Sequence, residues 1–238
     1  MNIDLSKYRD IIVSLRKLKP DPIVLATRNE GKVRELQQML AGTDFKVVSM
    51  TGFPGVPEVV EDGETFVANA IKKARTVATA LGKTTLADDS GLVVDYLSGA
   101  PGVHSARFAG PEHDDDANNR KLLQLLSGVP QQKRAARFCC VLAIVTPDGK
   151  VATTRGTCEG MIIEQPRGKN GFGYDPIFLV PRYGKTFAEL DSVTKNKISH
   201  RGQALQKARV ILTAAAGEDE EIMLNATCCA CFGRVPEL

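Results

Sequence analysis

RAARFCCVLAIVTPDGKVATTRGTCEG, residues 134–160, joins two β-rich runs through Pro147-Asp148-Gly149. Proline presets the backbone of a turn and glycine tolerates a positive φ, so the stretch predicts a long antiparallel hairpin. A hairpin of that length belongs to a sheet that is not purely parallel. Upstream, PIVLAT, residues 22–27, reads as a buried strand. It runs into a segment with Val33, Leu36 and Leu40 on one helical face and Asn29 as a candidate N-cap. Strand, turn and helix in that order open an α/β fold, and the hairpin makes its sheet a mixed one.

The remaining elements follow from the same signals. Residues 45–49 resemble a second strand. The loop TGFPGVPEVVEDGE, residues 51–64, leads into a helix from Thr65 to about Leu81, with Phe66, Ala70, Ala74, Val77 and Leu81 on one face. TTLADDSGLVVDYL, residues 84–97, reads as two short strand-like runs flanking Asp88 and Asp89, and a helix is expected from Asn118 to Leu126. Ser199 and Gly217 bracket a last helix carrying Ala204, Leu205, Ala208, Ile211, Leu212 and Ala215. At the N-terminus Leu5, Tyr8, Ile11, Ile12, Leu15 and Leu18 form a stripe that stops at Pro20, an accessory helix expected to lie on the main body. The division expected is an accessory helix over 1–21, the main domain over 22–217, and a tail over 218–238 that opens on the acidic EDEEI.

Composition excludes several classes of function. With 31 basic and 28 acidic residues the net charge is only +3, and the two signs are interspersed, so no nucleic-acid partner is expected. No apolar run, the one containing Cys139 to Val145 included, approaches the roughly 20 residues that span a bilayer. The first twenty residues lack the uninterrupted apolar centre of a signal peptide, so no membrane association and a cytoplasmic location are expected. Cys139 and Cys140 sit in an apolar run and read as core. Cys228, Cys229 and Cys231 offer three thiols without a nearby histidine, one ligand short of a structural zinc site, and read as an oxidation-prone tail.

Three segments carry candidate chemistry. Thr27, Arg28, Asn29, Glu30, Gly31 and Lys32 lie where a buried strand meets a helix, so free backbone N–H groups, the positive helix end and a lysine face one point. That is an anion site, though not a Walker A loop. Asp88 and Asp89 with Glu58, Glu61, Asp62 and Glu64 supply hard oxygens suited to Mg²⁺ or Mn²⁺, or a base for water; if the pair ends a strand, one carboxylate faces a given cleft. Anion site and carboxylates together describe a metal-bridged polyphosphate site. The third segment is GFGYDPIF, residues 171–178, with KNKISHRG, residues 195–202. Phe172 or Tyr174 could stack on a flat ring, and Lys195, Lys197, His200 and Arg201 are donors near a helix N-terminus.

TRNEGK, EDGETF, ADDSGL, GAPGVHSARFAG, GFGYDPIF and ISHRGQAL, in that order between Pro22 and about Ala216, resemble the inosine triphosphate pyrophosphatase (dITP/XTP pyrophosphatase) family. The resemblance implies that Thr27, Asn29 and Lys32 hold a triphosphate. Asp89 is implied as the base and a metal ligand, Glu61 as the second Mg²⁺ ligand, and Ser90 as a substrate contact. Phe172, Gly173, Tyr174, Asp175, Lys195, His200 and Arg201 match the positions that hold base and ribose. One position departs: the family reads F-x-E-N-A where this chain has Phe66-Val67-Ala68-Asn69-Ala70, so a carboxylate expected near the metal region is absent at Ala68.

The expected fold is α/β, a long twisted mixed sheet flanked by helices in two lobes with a substrate groove between them, and similar proteins are homodimers. The expected reaction is attack of water on the α-phosphorus of a purine nucleoside triphosphate, cleansing the nucleotide pool of deaminated purines. Two other readings stand beside it: a nucleotide pyrophosphatase with another base preference, and a nucleotide-binding protein with little turnover.

Overall fold

The computed structural model describes residues 3–18, 22–28, 32–34, 37 and 46–217. Asn29, Glu30, Gly31, Leu36, Leu40 and the tail cysteines lie outside the described residues. Among the described residues seven strands form one sheet in the order β2-β1-β3-β4-β5-β6-β7. They are β1 (Ile23–Leu25), β2 (Val47–Ser49), β3 (Thr85–Val94), β4 (Ala135–Val145), β5 (Val151–Ile162), β6 (Phe178–Val180) and β7 (Lys185–Thr186). Strand β1 pairs in parallel with β2 and β3, and every later pairing is antiparallel. The sheet is therefore mixed, and β4 and β5 are the hairpin over 134–160.

The aspartates do not divide their segment. Instead of two short runs, β3 is one strand of 10 residues passing through both, with Asp88 opposite Leu142 and Asp89 opposite Val141. The ladder to β4 satisfies the backbone, Asp88 meets Lys32 and Arg201, and Asp89 meets Lys73, so the charges have no need of a break in the strand. Alternation then sorts the apolar residues. Leu86, Leu142 and Ile144 face helices α1 (Arg9–Lys17) and α5 (His200–Ala216), while Ala87, Val141 and Ala143 face α2 (Phe66–Leu81).

Further along the same strands, Leu92, Phe138 and Ile162 enter a second core with Phe178, Phe187 and Leu122, the last from α3 (Asp115–Leu125). The long strands thus run from one lobe into the other. Residues 88–91 occupy the waist between the cores, where the groove opens.

Helix α3 starts at Asp115 rather than at Asn118, because Asp114 accepts from the N–H of Ala117 and caps it there. A short helix α4 (Ser192–Ile198) carries Lys195 and precedes α5, so Lys195 and Lys197 belong to a separate helix from His200 and Arg201. Ser199 caps α5, and Gly217 closes it at φ +92°. Helix α1 buries Ile11, Ile12 and Leu15 against α5, and Ser14 Oγ donates to Asp148 Oδ1 at 2.6 Å in the hairpin turn. Among the described residues no helix is long and apolar enough to cross a membrane.

Candidate active site

Two cavities meet at Lys32. The smaller, of about 220 Å³, is lined by Thr27, Arg28, Glu58, Glu61, Lys73 and Asp88. The larger, of about 370 Å³, lies between Ser90, Asp115, Phe172, Asp175, Lys195 and Arg201, with Gly173, Tyr174 and His200 in its walls. The first is rich in charge of both signs and the second is edged by aromatic rings, so the joined groove suits a molecule with an anionic end and a flat end.

Neighbouring positions on β3 send the two aspartates to opposite faces. Asp88 accepts from Lys32 Nζ through both oxygens, at 3.1 and 2.9 Å, and lies 3.6 Å from Arg201 Nε. Burial alone would raise its carboxyl, but Lys32, Arg201 and Lys73 outweigh that and hold it below the usual carboxylate range. It is a fixed anion beneath two cations. Asp89 differs: burial pushes it up to about 6, with Glu61 and Asp88 adding to the rise and Lys73 and Asn69 opposing it. Lys73 Nζ stands between the carboxylates, 3.1 Å from Glu61 and 3.9 Å from Asp89.

Asp89 Oδ2 is buried without a hydrogen-bond partner. An orphaned carboxylate oxygen beside a second carboxylate is the donor set that a hard divalent cation completes. Among the described residues no group of three or more His, Cys, Asp or Glu could hold a metal. Two carboxylates therefore fit an ion that takes its other ligands from water and phosphate rather than an all-protein cage. Of the other acidic candidates, Asp62 pairs with Lys72 and Glu64 is exposed.

At the flat end the two aromatic candidates separate. Tyr174 is buried and its hydroxyl donates to Ser105 O at 2.8 Å, so its ring forms wall and is not free to stack. Phe172 is 55% exposed, with Lys195 Nζ 5.2 Å and the Arg201 guanidinium 5.7 Å from its ring centre. Asp175 accepts from Phe172 N at 2.9 Å and pairs with Lys195 at 2.5 Å, while burial holds its carboxyl above the usual value. Gly171 is required here, since a Cβ would fall 1.9 Å from Asp175 Oδ2. Gly156 serves the same end on β5, where a Cβ would meet His200 O at 2.0 Å and push α5 away.

His200 stacks on Phe138 at 4.8 Å, and its Nδ1 is buried without a partner. Burial, then Arg201 and Lys195, hold its pKa well below 6.5, so the ring is neutral at pH 7. The unfolded chain then binds the proton that the folded chain refuses, so stability falls as pH drops below 6.5 toward the folded value. In His200→Gln the drop in melting temperature between pH 7.5 and pH 5 is expected to shrink. An undiminished drop would show that other groups carry it.

Lys73, Asn69 and Asp115 also belong to the site, though none stood out in the sequence. Asn69 and Lys73 are four apart on α2 and share the face toward β3, which was the available signal. Ala68 lies on the exposed side of that helix. It is the third residue after the cap Thr65, whose Oγ1 accepts from Ala68 N at 3.1 Å. A glutamate there would be placed to complete a capping box with Thr65. Ala68→Glu is expected to stabilise by about 0.5–1 kcal/mol and to leave turnover within about twofold of wild type, read by thermal melts and steady-state assay.

The chain belongs to the Ham1 family, whose family model matches residues 23–211. It is 60% identical over 190 residues to the dITP/XTP pyrophosphatase of Desulforamulus reducens, covering 80% of this chain and 94% of that protein. To the Bacillus licheniformis dITP/XTP pyrophosphatase it is 52% identical over 193 residues, 81% of this chain and 98% of the relative. The solved HAM1 protein from Coxiella burnetii superposes with a TM-score of 0.77 at 46% identity, over 81% of this chain and 98% of that one.

Proposed function

We propose that the chain hydrolyses the non-standard purine nucleoside triphosphates dITP, ITP and XTP to monophosphate and pyrophosphate, with Mg²⁺ as its metal and Mn²⁺ able to replace it. The observation that carries this is the meeting at Lys32 of a cavity lined by Glu61, Asp88 and Lys73, with Asp89 3.9 Å from Lys73, and one edged by Phe172. The dITP/XTP pyrophosphatases of Desulforamulus reducens and Bacillus licheniformis support the substrate class.

In this reading Thr27, Arg28 and Lys32 bind the phosphates, with Asn29, Glu30 and Gly31 as further contacts of the same segment. Lys32 and Lys73 face charge that grows on the phosphate oxygens as the α-phosphorus is attacked. Glu61 and Asp89 hold the divalent cation, which when bound spreads the charge of the triphosphate and of departing pyrophosphate. Asp89 orients the attacking water and accepts its proton, and its position in a rigid ten-residue strand contributes more than its basicity.

Base choice follows from donors. Hypoxanthine and xanthine present a C6 carbonyl that Arg201 or neutral His200 can donate to, whereas adenine presents an amino group, leaving donor against donor. Phe172 stacks on the ring, Lys195 and Asp175 fix that wall, and Ser90 reaches the sugar–phosphate side. Hydrolysis of ITP in water enriched in heavy oxygen tests the position of attack. Label in IMP and none in pyrophosphate is expected, and label in pyrophosphate or orthophosphate would contradict it.

A further inference from the structure

Gly173, inside the Phe172–Asp175 segment, is held on both sides by a distant helix. Its N–H donates to Asp115 Oδ2 at 2.7 Å, and its carbonyl accepts from Asn119 Nδ2 at 2.9 Å. Asp115 and Asn119 are four residues apart on α3 and so share one helix face. Gly173 has φ +60° and open space where a side chain would be, so released from those bonds it has more conformations open to it than any other residue would have.

The two partners differ in a telling way. Asn119 is buried, but Asp115 is exposed and lines the larger cavity. The packing of α3 rests on Leu122 and Leu126, to which the Asp115 carboxylate adds nothing. Its bond to Gly173 acts instead on the loop that carries Phe172.

We propose that Asp115 and Asn119 are positioning residues: by pinning Gly173 they set where the Phe172 ring stands over the purine, and so determine affinity for the base without touching the reacting phosphate. This rests on the reading of the larger cavity as the base site. An unpinned loop must be ordered when substrate binds, which weakens binding. Glu61 and Lys73 line the other cavity and Asp89 pairs with Lys73, so the chemical step is left alone.

The test compares wild type with Asp115→Ala, Asp115→Asn, Asn119→Ala and the double alanine variant, by ITP kinetics, by calorimetric ITP binding, and by inhibition with tripolyphosphate, a probe that has no base. Each alanine variant is expected to raise KM for ITP about five- to tenfold with kcat within about twofold. Inhibition by tripolyphosphate stays unchanged. Asp115→Asn, whose amide oxygen still accepts from Gly173, recovers most of the loss, and the double variant loses less than the sum because both bonds act on one residue. An unchanged KM in Asp115→Ala, or an equal loss of tripolyphosphate binding, overturns the inference; if Asn119→Ala fails to fold, the exposed Asp115 decides alone. A wild type that binds ITP without hydrolysing it overturns the proposed reaction, and the clamp is then read from the ITP Kd. A wild type that does not bind ITP overturns both.

Discussion

Asp89→Asn is expected to lower kcat for ITP about 10³–10⁴-fold while the protein stays folded. Asparagine keeps the shape of the side chain on β3 but removes the negative charge from the position whose second oxygen is buried and unpartnered. Under the proposed mechanism it could neither accept the proton of the attacking water nor complete the donor pair with Glu61. Because Lys32 and the walls of the larger cavity are untouched, KM should change far less than kcat. Steady-state kinetics with a thermal melt on the same sample decide it. A variant that retains more than about a tenth of wild-type kcat would remove Asp89 from the chemistry, since loss of a positioned base costs at least about a hundredfold.

The second large effect belongs to its neighbour. Asp88→Ala leaves Lys32 and the buried Arg201 without the carboxylate that lies 2.9 and 3.6 Å from them. Removing one member of a buried ion pair costs about 3–5 kcal/mol, because the remaining charges stay desolvated without the carboxylate that balanced them. In a chain of this size that is a fall in melting temperature of roughly 6–20 °C. Lys32 and Arg201 also lose their fixed positions, so activity falls with stability, unlike Asp89→Asn, where the two separate. A melting temperature within about 2 °C of wild type, under the smallest of those losses, would mean that the cations have other sufficient partners.

Much of the architecture could be read locally. The hairpin was legible because its turn residues and β-rich runs sit side by side, and the caps Thr65 and Ser199 are marked by residue type. The waist of β3 was not. Two adjacent aspartates look like a strand boundary when their partners are hidden, and those partners, Lys32, Lys73 and Arg201, come from three separated segments. Lys73 was missed because Lys72 stands beside it; only the register with Asn69 tells which lysine turns inward, and Lys72 is left to pair with Asp62 at the surface. Phe172 and Tyr174 were equal candidates until the Ser105 carbonyl took the tyrosine hydroxyl. Likewise three consecutive aspartates, Asp114 to Asp116, gave no sign that one caps α3 and the next reaches Gly173.

The most direct measurement is pyrophosphate release from ITP, XTP, GTP and ATP with Mg²⁺, each at matched concentration, with Asp89→Asn in parallel. Rapid release from ITP and XTP, little from GTP and ATP, and none above background in the variant is the predicted result. Equal turnover of all four, or ITP binding with no pyrophosphate formed, would contradict it.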